Sequence, residues 1–168
     1  MRWTHSELIN TKSEVITIDE DIVVDDAEFA GNSRINSVRD VHVSGTGSFN
    51  IERDLFYVTM RITGTMLVPD AITAEEIEYD FETEAEETYS FSAQDEEVRM
   101  AVNDVIDLMP AAVDAILLEV PLQVTHADPE DYPSGDGWRI ITEEEYQKSQ
   151  QDRIDPRLAK LKEFKTEK

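Results

Sequence analysis

Three histidines, His5, His42 and His126, are the side chains of this chain that titrate near neutrality unaided, so acid–base or metal chemistry would start from them. They carry no His-x-x-x-His spacing. Cysteine is absent, which removes thiolate zinc sites, iron–sulfur clusters, disulfides and a cysteine nucleophile, and makes a reducing compartment the expected one. The nearest approach to a ligand set is His126 with Asp128, Glu130 and Asp131, because imidazole and carboxylate suit several divalent ions. An exposed loop histidine explains the same residues. Carboxylates are abundant, but they stand in rows beside one another, where mutual repulsion is expected rather than an acid–base pair. The motifs Gly-x-Gly-x-x-Gly, Gly-x-x-x-x-Gly-Lys, Gly-x-Ser-x-Gly and His-Glu-x-x-His are missing. Residues 70–82 lack the calcium-loop pattern, so weak counterion binding is the expectation there. The expected outcome is no catalytic residue, no metal site and no cofactor.

The charges are unevenly placed. Of 168 residues, 38 are Asp or Glu against 15 Lys or Arg, for a net charge of -23. Between Arg61 and Arg99 there are twelve acidic residues and no basic one. From Arg153 onward the sign reverses to a net +3, which leaves -26 on residues 1–152. A body so anionic repels a phosphate backbone within the Debye length, whereas the tail is a separate electrostatic object and a candidate interaction arm. Apolar runs such as Ala115 to Leu118 fall far short of the ~20 residues that a membrane span needs. The start of the chain has no apolar stretch of the kind a secretory signal carries. A cytoplasmic chain with no membrane partner and no small-molecule substrate is expected.

Alternation positions the acidic rows. Val41, Val43, Gly45, Gly47, Phe49 and Ile51 share one face of a strand, and Phe56, Val58, Met60 and Ile62 share one face of the next, with Glu52-Arg53-Asp54 between them. Gly45, Gly47 and Gly64 leave room for a bulge or for close packing. A third strand turns Ile77, Tyr79 and Phe81 inward and Glu76, Glu78, Asp80, Glu82 and Glu84 outward. Two further strands are expected around Tyr89–Phe91 and Val98–Val102, and shorter ones at 15–18, 22–24 and 122–125. The spacing of Val113, Ile116, Leu117 and Val120 predicts a core helix that Asp107 caps, Pro110 opens and Pro121 ends. Residues 4–10 suggest a helical turn or two, and 127–137 read as a loop. Thr142 and Glu145 make a capping box. Asp155-Pro156 opens a last segment, in which Leu158, Leu161 and Phe164 form an apolar stripe beside Lys160, Lys162 and Lys165.

Several stretches together resemble the YceD-type family, the large ribosomal RNA subunit accumulation proteins. They are Arg2-Trp3-Thr4 with Glu7-Leu8, Val41-His42-Val43-Ser44-Gly45, and Ile62-Thr63-Gly64-Thr65-Met66 leading to Pro69. In the second half they are Val105-Ile106-Asp107-Leu108, Ile116-Leu117-Leu118-Glu119-Val120-Pro121, Gly137-Trp138 and, most distinctive, Asp155-Pro156-Arg157-Leu158-Ala159-Lys160-Leu161. The resemblance implies a factor that supports 23S ribosomal RNA synthesis, processing or stability, with no enzymatic activity and with a partner in large-subunit assembly. Many members carry a Cys-x-x-Cys-like pair after the central hairpin and further cysteines after the Pro-Leu segment. This chain has Asp70-Ala71-Ile72-Thr73 at the first place and His126 and Asp128 near the second, so packing must hold its hairpin.

The expected architecture is α+β: a curved antiparallel sheet or partly open barrel of about six strands, with a packed helix and a C-terminal helical arm. The expected division is a domain at 1–141 and a helical arm with a basic tail at 142–168. The leading functional expectation is a non-enzymatic ribosome-biogenesis factor whose partner is a large-subunit precursor, 23S rRNA or a basic ribosomal protein. Arg157, Lys160, Lys162 and Lys165 would contact RNA or pre-ribosome, and Glu76, Glu78, Asp80, Glu82 and Glu84 a basic partner. Composition alone fits a generic acidic interaction module or nucleic-acid mimic equally well, and a metal-dependent hydrolase using His126 is the third reading.

Overall fold

The computed structural model describes residues 1–11, 15–92 and 98–152. The elements are β1 (Arg2–Thr4), α1 (His5–Asn10), β2 (Ile16–Ile22), a 3-10 turn (Asp26–Phe29), β3 (Ser37–Asn50), β4 (Leu55–Pro69), β5 (Glu76–Ser90), β6 (Arg99–Met100), β7 (Val105–Asp107) and α2 (Met109–Glu119). A second compact unit begins at Thr125 and holds a 3-10 turn (Pro129–Asp131), the two-residue strands β8 (Ser134–Gly135) and β9 (Trp138–Arg139), and α3 (Glu143–Asp152).

The α+β expectation holds. The main sheet has five strands in the order β2-β3-β4-β5-β6 and does not close into a barrel. Its first four strands are antiparallel, and β6 joins β5 in parallel through Tyr89 and Ser90. The sequence divided β5 in two; it is one strand of fifteen residues, because it pairs with β4 from Glu76 to Ser90 without a register shift. Likewise the segments expected at 15–18 and 22–24 are the two ends of one strand, β2, which runs only from Ile16 to Ile22, and 122–125 form none. β1 pairs with β7 across about a hundred residues of chain, a pairing that no local pattern announces.

Turn chemistry sets the hairpins. Asn50 Oδ1 accepts from the amides of Glu52 (3.1 Å) and Arg53 (3.0 Å), and Asp54 takes the left-handed conformation at φ 58°, which Asp tolerates better than most residues. The β4–β5 turn is built on Asp70, whose Oδ1 accepts from Ile72 (2.8 Å) and Thr73 (3.0 Å). Its backbone closes the loop through Asp70 N–H to Glu75 (2.7 Å) and Ala74 N–H to Asp70 (3.0 Å). This hydrogen-bonded turn stands where the resemblance implies a cysteine pair.

The core lies on one side of the sheet, where Val43, Phe56, Met60, Ile62 and Met66 pack with Ile106, Leu108 and Ile116. Burying each such side chain contributes roughly 1.5–3 kcal/mol. The helix is capped differently from the sequence reading: Leu108 is the N-cap, while Asp107 Oδ1 accepts from the Met109 amide (3.0 Å). Pro121 follows the helix at once, as expected. In the second unit Thr142 Oγ1 accepts from the Glu145 amide (3.1 Å) and starts α3. The expected loop at 127–137 instead folds locally, into the turn at Pro129–Asp131 and a tight hairpin with Gly137 at φ 81°.

Two of the apolar-face glycines, Gly47 and Gly64, are seats for aromatic rings. A Cβ at Gly47 would enter the Phe56 ring, and one at Gly64 would meet the Phe81 ring, which lies directly opposite it. Phe56 is fully buried and cannot yield. Gly47→Ala is therefore expected to cost about 1–3 kcal/mol through overpacking, and Phe56→Ala about 3–5 kcal/mol through the cavity it leaves. In the Phe56→Ala background the Gly47→Ala penalty should largely vanish; strictly additive urea-unfolding energies for the double variant would contradict this packing.

Candidate functional site

The three histidines do not converge. His5 opens α1, donates from Nε2 to Asp54 Oδ1 (2.7 Å), and stacks on Phe91 with ring centres 4.3 Å apart. His42 lies on the outer face of β3, with Nδ1 2.7 Å from Asp21 and Nε2 3.4 Å from Asp19. His126 belongs to the second unit. Among the described residues no group of three or more His, Asp or Glu side chains is arranged to hold a metal ion.

The carboxylates, by contrast, are ordered by the sheet. β5 keeps strict register on β4 from Leu55 opposite Ser90 to Pro69 opposite Glu76. Its even-numbered residues from Glu76 to Glu86 consequently point away from the core, and Glu76, Glu78, Asp80, Glu82 and Glu84 are exposed along one face, with Glu86 extending the row. Three are anchored. Thr65 Oγ1 donates to Asp80 (2.8 Å), Asn36 Nδ2 to Glu76 (2.8 Å), and Arg61 pairs with Glu82 at 2.6 Å. The bond to Glu82 raises the Arg61 pKa further above its ordinary value. Glu78, Glu84 and Glu86 make no ion pair among the described residues. Asp19 and Asp21 on β2 add charge at the opposite margin of the same face, and the ground between is rich in hydroxyls, with Ser44, Thr46, Thr59 and Thr63 in adjacent register. The outer face is thus a polar floor between two anionic margins.

A second feature is an open cleft of about 630 Å³, with Arg2, Arg99 and Asp107 on its polar side and Met100, Val102 and Pro110 on its apolar side. Both guanidinium groups are engaged. Arg2 bonds Asp107 through Nε (2.8 Å) and Nη2 (2.7 Å), and Arg99 bonds Glu87 twice (3.0 and 3.1 Å) and Asp114 (2.7 Å). The hydrogen bonds to Glu87 and then Asp114 hold the Arg99 pKa well above its ordinary value. Val102 and Val105 close a two-residue turn over Asn103 and Asp104, both at positive φ, which suits Asn and Asp. Sequence reasoning missed this cleft because its walls come from β1, β5, β6, β7 and α2. The other half of the expected site, Arg157, Lys160, Lys162 and Lys165, lies outside the described residues.

Comparison with known proteins bears on the same region. Residues 58–165 match the family described as "Large ribosomal RNA subunit accumulation protein YceD", a span that takes in β5 and α2. Over 169 aligned positions the chain is 28% identical to the uncharacterized protein YlbN of Bacillus subtilis (strain 168), covering 96% of this chain and 94% of the relative. No solved structure matches. Among the described residues no helix is long and apolar enough to cross a membrane.

One titration is set by the geometry of the cleft. Tyr89 is buried, its hydroxyl donates to the Asp107 carbonyl (3.3 Å), and burial pushes its pKa up from 10.0 to about 12, against the opposing effect of Arg99. The unfolded chain therefore releases the phenol proton first as pH rises. The stabilisation is fully present below pH 10 and lost as pH climbs through about 12, with a swing of about 3 kcal/mol. Urea midpoints measured from pH 9 to 12 should fall more steeply for the native chain than for Tyr89→Phe; parallel curves would refute the assignment.

Proposed function

Because the chain belongs to the YceD family of large ribosomal RNA subunit accumulation proteins, we propose that it supports accumulation of that RNA by holding a basic component of the assembling large subunit on the acidic face of β5. The observation that carries this reading is the row from Glu76 to Glu84, exposed on a sheet face and only partly neutralised by Arg61. A basic ribosomal protein is the partner whose potential complements it, since opposed charges speed encounter and discourage wrong partners. Direct RNA binding by this face is disfavoured, because affinity for phosphates comes from Lys and Arg. In this reading RNA contact falls to Arg157, Lys160, Lys162 and Lys165, on the ground of their charge and of their place inside the matched span. The two poles would then join a protein and an RNA of one particle. No step of this role requires a catalytic group or a cofactor.

Affinity capture from a bacterial lysate at physiological salt, with and without ribonuclease, tests the proposal. Large-subunit precursors or particular basic ribosomal proteins should be recovered. The combined change Glu78→Gln, Asp80→Asn, Glu82→Gln and Glu84→Gln should reduce the ribonuclease-resistant part about tenfold, equivalent to ~1.4 kcal/mol. Arg157→Glu with Lys160→Glu should remove the ribonuclease-sensitive part. Recovery of unrelated basic proteins alone would replace this role with a generic acidic module, and an unaffected tail variant would remove the RNA contact.

A further inference from the structure

The acidic row coincides with an open edge of the sheet. β5 is hydrogen-bonded along its whole length to β4, but on its other side β6 covers only Tyr89 and Ser90. From Glu76 to Glu86 no backbone group on that side has a partner among the described residues. The direction of these groups follows from two bonds. The Ser90 carbonyl accepts from Ala101 on the β6 side (2.9 Å), whereas the Phe91 amide turns to Asp54 at the β3–β4 turn (3.5 Å). Alternate residues of a strand share an orientation, and the β4–β5 register has no shift. The residues that aim N–H and C=O at the open edge are therefore Glu78, Asp80, Glu82, Glu84 and their even-numbered neighbours, the same ones that raise carboxylates on the outer face.

The inner face of this edge is incompletely covered. Val58, Met60, Ile62, Met66 and Val68 on β4 are buried, but Ile77, Tyr79, Thr83 and Ala85 beside them on β5 are only half-buried. Resting on the proposed function and narrowing it, we infer that the β5 edge accepts an extended Lys/Arg-rich segment of the basic partner as a further strand, in line with β6. Its basic residues would alternate with apolar ones. The basic ones would meet the carboxylate row, and the apolar ones would complete cover over Ile77, Tyr79 and Ala85, since directly opposed residues on adjacent strands lie about 5 Å apart. A second copy of this chain is a poor occupant, because edge-to-edge pairing would set one acidic row against another. Nucleic acid offers no amide ladder and meets the wrong charge.

The test uses the full chain and a peptide of about ten residues alternating lysine and valine, matched to the free edge at 3.4 Å per residue. One control peptide has the same composition with the lysines in one block, and another is N-methylated on the amides that would pair. The alternating peptide should bind at low salt and slow hydrogen exchange of the Glu78, Asp80, Glu82 and Glu84 amides. Both controls should bind about tenfold or more weakly. On the chain itself, Glu84→Pro removes one outward donor and spares the ladder to β4, so it should weaken the alternating peptide more than Glu84→Gln does. The methylated peptide keeps the test independent of whether Glu84→Pro folds. Equal binding of all three peptides without amide protection would overturn strand addition and leave the acidic-face reading standing; no binding by any of them would overturn both.

Discussion

The unbroken register between β4 and β5 is the constraint on which the rest depends. Because the side-chain period of a strand is two, a slip of one residue would bury the carboxylates and expose Phe81 and Tyr89. The slip is resisted at both ends and in the middle. Asp70 fixes the turn at one end, β6 pairs with Tyr89 and Ser90 at the other, and Phe81 fills the space over Gly64 between them. One register thus decides the hydrophobic face, the acidic face and the direction of the edge amides together.

Asp107 is the second anchor, and it gathers elements that are distant in sequence. Its carboxylate binds Arg2 of β1 and the first amide of α2, while its carbonyl accepts from Tyr89 of β5. A lone buried carboxylate would cost several kcal/mol, but this one is part-exposed and shares its oxygens among a guanidinium and an amide. The helix therefore needs no side-chain cap from its own N-cap residue, Leu108, which instead is fully buried in the core.

What the sequence made legible was whatever repeats locally. The alternation in 41–51, 55–67 and 76–84 placed three strands and the acidic face correctly, since each strand buries one side and solvates the other. Helix α2 was equally plain, with Pro110 near its start and Pro121 beyond its end. The division of β5 at Tyr89 was an error of a different kind: Glu84 to Thr88 contain two adjacent charges, Glu86 and Glu87, and the sequence does not reveal that Glu87 turns inward to Arg99. Non-local pairings were invisible for the same reason. Arg2 and Asp107, or His5 and Asp54, carry no mutual spacing signal, and the cleft that Arg2 and Asp107 border could not be foreseen.

The cost of the acidic row explains why its placement is informative. Neighbouring carboxylates two residues apart along the strand are about 7 Å apart, so each adjacent pair repels by about 0.6 kcal/mol in water before screening. Over the row this reaches about 3 kcal/mol, reduced by salt because the spacing is close to a Debye length. Arg61 relieves a part of it at Glu82. A strand that only had to stay soluble could alternate signs on its outer face at no such cost. Charge at a sheet edge also deters unwanted pairing, and a single lysine would serve that end. An uninterrupted anionic row that also aims its backbone outward excludes like-charged neighbours, its own copies included, while lowering the energy of any extended cation-bearing chain that replaces the repulsion with attraction.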